Sequence, residues 1–215
     1  CAGGDVVALY RSLSDDMPDS QASDAGDFVE HYFSAEYRLD FRIHTYTKPL
    51  IVWGDGIVMG GGLGLLAGAG QRIVTETTRI AMPEVTIGLY PDIGASWFLN
   101  RMPPGVGAYL GLTGAQLNAR DTLDLGLADR YIPRDSREAL LDALMGADFS
   151  EPQKAVRGVL GQFEDRAQLP QGQVMPRLDA IQSLVDTAQV ADAVECILTD
   201  ERGDDWLISN RQRLA

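Results

Sequence analysis

The chain has 215 residues, 45% of them apolar, which suits one domain of ordinary size plus a helical extension and excludes wholesale disorder. Its 31 acidic and 18 basic side chains leave a net charge of −13, and Lys48 and Lys154 are the only lysines. A nucleic-acid partner is excluded on that charge, and the absence of any run of about 18 apolar residues excludes a membrane span.

Taken in order, the chain opens on Cys1-Ala2-Gly3-Gly4-Asp5, with no initiator methionine, so an interior start with residues missing upstream is expected. Cys1 and Cys196 form no metal or redox motif and read as free thiols. Ser12 to Asp27 is polar and acidic and reads as a loop. Phe28 to Tyr46 carries apolar side chains at near-helical spacing and ends at Lys48-Pro49. Short strands are expected at Leu50–Trp53 and Ile57–Val58, joined by Gly54-Asp55-Gly56. The glycine-rich run Gly60–Gly70 leads from the second strand into a helix-like stretch.

Strands follow at Arg72–Val74 and Arg79–Ala81, then a loop from Pro83 to Asp92. Short helices are expected at Gly94–Arg101 and Val106–Leu112. Asn118 is positioned to cap a helix that Gly126 ends, and a strand near Asp129–Ile132 stops at Pro133. Beyond it, Ser136–Met145, Glu151–Phe163, Arg177–Val185, Val190–Leu198 and Asp205–Leu214 all have helical spacing. The chain therefore divides into an α/β part, residues 1–133, and a helical extension, residues 134–215. Its short elements fit stacked turns better than long β-α-β units.

The glycine run is the strongest local signal. Glycines let a backbone approach a ligand or another backbone closely, and N–H groups at a helix start suit an oxyanion or a phosphate. Close packing of a helix on a sheet would use the same glycines. Gly62-Leu63-Gly64-Leu65-Leu66-Ala67 also fits the dinucleotide pattern, with Glu84 downstream, but Gly68 and Gly70 stop the helix too early for that crossover. No Gly-Lys dipeptide exists for a P-loop. The two histidines, His31 and His44, precede every candidate serine elbow and sit in no metal-ligand spacing. Carboxylates remain. Glu84 and Asp92 lie in the apolar segment Ala81–Asp92, where a carboxylate must be paired, hydrogen-bonded or protonated. They read equally as an acid/base pair or as caps on nearby turns.

Cys1-Ala2-Gly3-Gly4-Asp5, Glu36-Tyr37-Arg38-Leu39, Met59-Gly60-Gly61-Gly62, Ala81-Met82-Pro83-Glu84 and Ile87–Gly94 together resemble the enoyl-CoA hydratase/isomerase (crotonase) superfamily. Within it, residues 27 to 133 most resemble the 3-hydroxyisobutyryl-CoA hydrolase branch. The resemblance implies an α/β crotonase-like spiral of β-β-α turns with a helical C-terminal region. It implies an oxyanion hole from the Gly4 and Gly61 N–H groups, Glu84 and Asp92 as catalytic acids, and Glu36, Gly61, Glu84 and Asp92 in substrate contact. Hydratases of the superfamily place a second glutamate where this chain has Gly64, and that departure favours the hydrolases over hydratases and dienoyl isomerases. The implied activity is hydrolysis of a short hydroxyacyl-CoA thioester, as in valine catabolism. No metal and no cofactor are implied, since coenzyme A is part of the substrate. A homo-oligomer is compatible, and the location is cytoplasmic, or the mitochondrial matrix in a eukaryote. A non-catalytic acyl-CoA-binding or scaffold role is the alternative of another class.

Overall fold

Two short strands followed by a helix make the unit from which the α/β part is built, seen here in a computed structural model that describes residues 1–13 and 22–214. β1 (Ile51–Gly54) and β2 (Ile57–Met59) lead into α3 (Gly61–Gly68). β3 (Gln71–Val74) and β4 (Arg79–Ala81) begin the next unit. β3 lies parallel to β1 with Ile51 opposite Gln71, and β4 lies parallel to β2 with Ile57 opposite Arg79. β5 (Arg130–Tyr131) pairs with β3, so the sheets run β1-β3-β5 and β2-β4. Strands of two to four residues are too short to persist alone. Stacking buries Val58, Ile73, Val74 and Ile80 between them. Asp55 Oδ1 accepts from the Thr75 and Thr77 hydroxyls at 2.8 and 2.5 Å, and Thr78 donates to the Gly54 carbonyl at 2.6 Å. These bonds tie the turn of one unit to the turn of the next.

The N-terminal residues dock on this frame. The Cys1 ammonium donates to the Ile57 carbonyl, and the Cys1 carbonyl accepts from Met59 N–H at 3.1 Å, so the segment runs beside β2. α1 (Val6–Leu13) follows, with Asp5 Oδ1 accepting from Ala8 N–H as a cap. α2 (Ala22–His44) packs on α1 and α3. The loop expected over residues 12–27 is therefore corrected at both ends. Ser12 and Leu13 complete α1, and Ala22–Asp27 open α2. Residues 14–21 of that expected loop lie outside the described residues.

The expected loop from Pro83 to Asp92 contains a 3-10 turn, Glu84–Ile87, which Gly88 ends at φ 75°. α4 (Ala95–Leu99) is shorter than its apolar run because Gly94, at φ 80°, stands outside the helix. α5 (Val106–Thr113) follows, then α6 (Ala119–Asp124), where Asn118 and Asp121 form a reciprocal capping box. The helical remainder is α7 (Arg137–Met145), α8 (Pro152–Phe163), α9 (Leu178–Val185), α10 (Val190–Leu198) and α11 (Asp205–Arg211).

One hydrophobic cluster joins Val58, Tyr109 and Tyr131 to Ile181, Ile197 and Leu207, so the core runs across residue 133. Asp121, fully buried, accepts from the N–H groups of Gln173 and Val174 at 2.6 and 2.9 Å and pins the helical part to α6. Among the described residues no helix is long and apolar enough to cross a membrane.

Candidate active site

The glycine triplet is where three separate segments meet. Gly60, at φ 52° and ψ −128°, turns the chain from β2 into α3 in a conformation that side-chain-bearing residues rarely adopt. A Cβ on Gly60 would stand 3.1 Å from Glu84 Oε1. One on Gly61 would run into Glu36 Oε1, and one on Gly62 into the Cys1 carbonyl. The triplet thus receives the turn at residue 84, helix α2 and the N-terminal segment at successive residues. Gly3 reaches the same point, since a Cβ there would lie 3.6 Å from Gly61 N.

A cavity of about 200 Å³ opens at this junction and is lined by Gly4, Glu36, Gly61, Glu84 and Asp92 among others. All five residues singled out from the sequence line it. Among the described residues neither the Gly4 nor the Gly61 N–H has an acceptor. Gly61 N–H belongs to the unpaired first turn of α3, where the helix dipole favours negative charge.

Glu84 opens the 3-10 turn, and its backbone carbonyl accepts from Gly88 and Leu89 N–H. Its side chain is 8% exposed, and Oε2 is shielded with no hydrogen-bond partner among the described residues. Burial pushes the carboxyl pKa up, its own backbone N–H pulls it down, and the charges of Asp92 and Glu36 push it further up. Glu36 is raised by burial and then by Asp92 and Asp40. Asp92 Oδ2 accepts from the Tyr37 hydroxyl at 2.7 Å. Burial and that hydrogen bond raise Tyr37 above the ordinary phenol range, so it remains a donor.

Beside this cavity lies a second, of about 560 Å³, lined by Tyr37, Asp40, Phe41, Gly64, Ile93 and Trp97 among others. Asp92 borders both. The five residues converge on the smaller one, and Asp40 lines the larger. Sequence reasoning missed Tyr37 and Asp40 as site residues. The signal was present: Tyr32, Glu36, Asp40 and His44 recur every four residues and share one face of α2. Ile93, at φ 42°, is the one non-glycine residue of positive φ among the described residues, and it stands between Asp92 and Gly94. Among the described residues no group of three or more His, Cys, Asp or Glu side chains is arranged to hold a metal ion.

The sequence model of the enoyl-CoA hydratase/isomerase family matches residues 1–215. A 3-hydroxyisobutyryl-CoA hydrolase 1 of Arabidopsis thaliana is 35% identical over 216 residues, covering 100% of this chain and 55% of the relative. The small ribosomal subunit protein mS47 of Neurospora crassa is 46% identical over 140 residues, covering 65% of this chain and 26% of the relative. The solved structure of a carnitinyl-CoA dehydratase from Mycobacterium thermoresistibile superposes with a TM-score of 0.82 at 32% identity, over 100% of this chain and 57% of that one. The chain therefore spans little more than half the length of the hydrolase relative it matches. Its stacked β-β-α units are those of the crotonase fold, and the chain belongs to the enoyl-CoA hydratase/isomerase family.

Proposed function

We propose that the protein hydrolyses a short hydroxyacyl-CoA thioester, 3-hydroxyisobutyryl-CoA foremost. The observation that carries this reading is Glu84, whose shielded Oε2 shares one cavity with the N–H groups of Gly4 and Gly61, all three without a hydrogen-bond partner among the described residues. The match of the whole chain to 55% of a named hydrolase of that substrate supports it. So does Gly64: a Cβ there would lie 2.9 Å from Ile93 Cβ, so this position has no room for the second glutamate that hydration requires.

In this reading the thioester carbonyl oxygen sits between the two N–H donors. Attack on the carbonyl carbon moves negative charge onto that oxygen, and each fixed donor lowers the barrier by about 3 kcal/mol. Glu84 acts in one of two ways. As nucleophile it forms an acyl–glutamyl anhydride, the carbon–sulfur bond breaks, and coenzyme A leaves as a thiolate that takes a proton. Water then hydrolyses the anhydride. As base it takes a proton from the attacking water, the carbonyl re-forms as the carbon–sulfur bond breaks, and that proton passes to the departing coenzyme A thiolate. Asp92, steadied by Tyr37, hydrogen-bonds the substrate hydroxyl or the attacking water, and Glu36 fixes the hydroxyacyl group. No cofactor enters this scheme, because coenzyme A arrives on the substrate.

The test is thiol release from 3-hydroxyisobutyryl-CoA by the wild type and by Glu84→Gln, run beside loss of the double bond of crotonyl-CoA. Release that Glu84→Gln abolishes supports the reading. Wild-type hydration of crotonyl-CoA without thiol release replaces it with a hydratase. Binding of the thioester with neither reaction replaces it with a binding or scaffold role.

A further inference from the structure

Asp40 is a carboxylate without a visible purpose in the fold. It lies one helical turn along α2 from Glu36, and both its oxygens are shielded from solvent with no hydrogen-bond partner among the described residues. A buried carboxyl left unpaired costs free energy, so its retention calls for a partner that arrives later. Its place is specific. A Cβ on Gly64 would lie 3.1 Å from Asp40 Oδ1, so α2 delivers an acid beside a residue of α3 that has none of its own. Gly64 stands three residues along α3 from Gly61, a rise of about 4.5 Å. That span is comparable to the distance from a thioester carbonyl to a hydroxyl two carbons away. Burial, and then the charge of Asp92, pushes Asp40 up to about 6, so near neutral pH it both accepts and, in part, donates.

We propose that Asp40 is a specificity-determining residue whose carboxyl group hydrogen-bonds the hydroxyl of the bound acyl group and thereby selects hydroxyacyl over plain acyl thioesters. The inference rests on the hydrolase reading for its substrate. A thioester bearing the hydroxyl satisfies the Asp40 oxygens, whereas an analogue lacking it leaves them unpaired beside Ile93 in the larger cavity. A site built to hydrogen-bond a substrate group rejects the analogue without that group far more strongly than an apolar pocket rejects a missing methylene.

The experiment compares kcat/KM for thiol release from 3-hydroxyisobutyryl-CoA and isobutyryl-CoA in the wild type, Asp40→Leu and Asp40→Asn. The preference for the hydroxyacyl substrate falls about 10- to 100-fold in Asp40→Leu, while Asp40→Asn, which still hydrogen-bonds, keeps most of it. A preference unchanged in Asp40→Leu overturns the inference, as does a loss equal for both thioesters, which is what structural damage produces. Should the wild type release no thiol, the hydrolase reading fails. The Asp40 inference is then judged from equilibrium binding of the same two thioesters, and falls if Asp40→Leu binds them with wild-type preference.

Discussion

The Tyr37 hydroxyl donates to Asp92 Oδ2 at 2.7 Å, joining helix α2 to the segment that follows the Glu84 turn. The bond fixes the carboxylate at the wall between the two cavities. Tyr37→Phe removes the donor and keeps the ring. Thiol release should slow about tenfold, while the urea midpoint falls by no more than the ~1 kcal/mol that one exposed hydrogen bond contributes to folding. Steady-state kinetics and a denaturation curve on the same sample separate the two effects.

Glu84→Gln should lower thiol release by about a thousandfold or more, in the range lost with a general base or nucleophile. Stability should hold or rise, since the substitution removes a carboxylate that burial disfavours. A melting temperature at or above that of the wild type, beside lost activity, is the expected pair of results.

Gly60→Ala and Gly61→Ala should differ in kind. At Gly60 the backbone itself, at φ 52° and ψ −128°, excludes a side chain, so folding weakens by about 1–3 kcal/mol. At Gly61 the obstacle is the flexible end of Glu36, which can shift. The fold should survive there, while thiol release falls about a hundredfold as the methyl group enters the path of the thioester. Urea unfolding and activity, measured on both variants, read the contrast.

Asp40 makes stability depend on pH with a defined sign. Its folded pKa is raised from 3.8 to about 6, so in that interval the unfolded chain gives up its proton while the folded one keeps it. Stability contributed through this group is complete below about pH 4 and falls as pH rises to about 6, where the penalty levels off. With solvent screening the loss is of order 1 kcal/mol. Asp40→Asn should flatten that part of the profile, seen as a smaller drop in urea midpoint between pH 4 and 6.5.

Asp121→Ala should cost about 3 kcal/mol, because the N–H groups of Asn118, Gln173 and Val174 all lose their acceptor in a buried place. Thermal unfolding of the variant gives the value.

Much of this architecture was legible from local chemistry. Asn118 announced a capped helix, and Gly54–Gly56 announced the turn between β1 and β2. The five residues of the cavity came from the family's motifs; the glycines and the acid pair alone left packing and catalysis equally open. What stayed hidden depended on neighbours distant in sequence. The acidic stretch that opens α2 reads as a loop until α1 and α3 give that helix a surface to lie on. Asp40 looks like one more surface acid until the fold sets it beside Gly64 at the wall of the larger cavity. The 3-10 turn at Glu84 needs Pro83 before it and the left-handed Gly88 after it, which only together bend the segment.

The three glycines after β2 carry backbone donors and no side chains, while the acids around them arrive from α2, the Glu84 turn and the segment at Asp92. On the proposed reading, charge stabilisation and proton handling are therefore held by different pieces of chain. An acid can arrive from another direction, as Asp40 stands beside the bare Gly64, without altering the backbone of the glycine triplet. On that reading, a scaffold divided in this way is free to change its reaction while keeping its grip on the thioester.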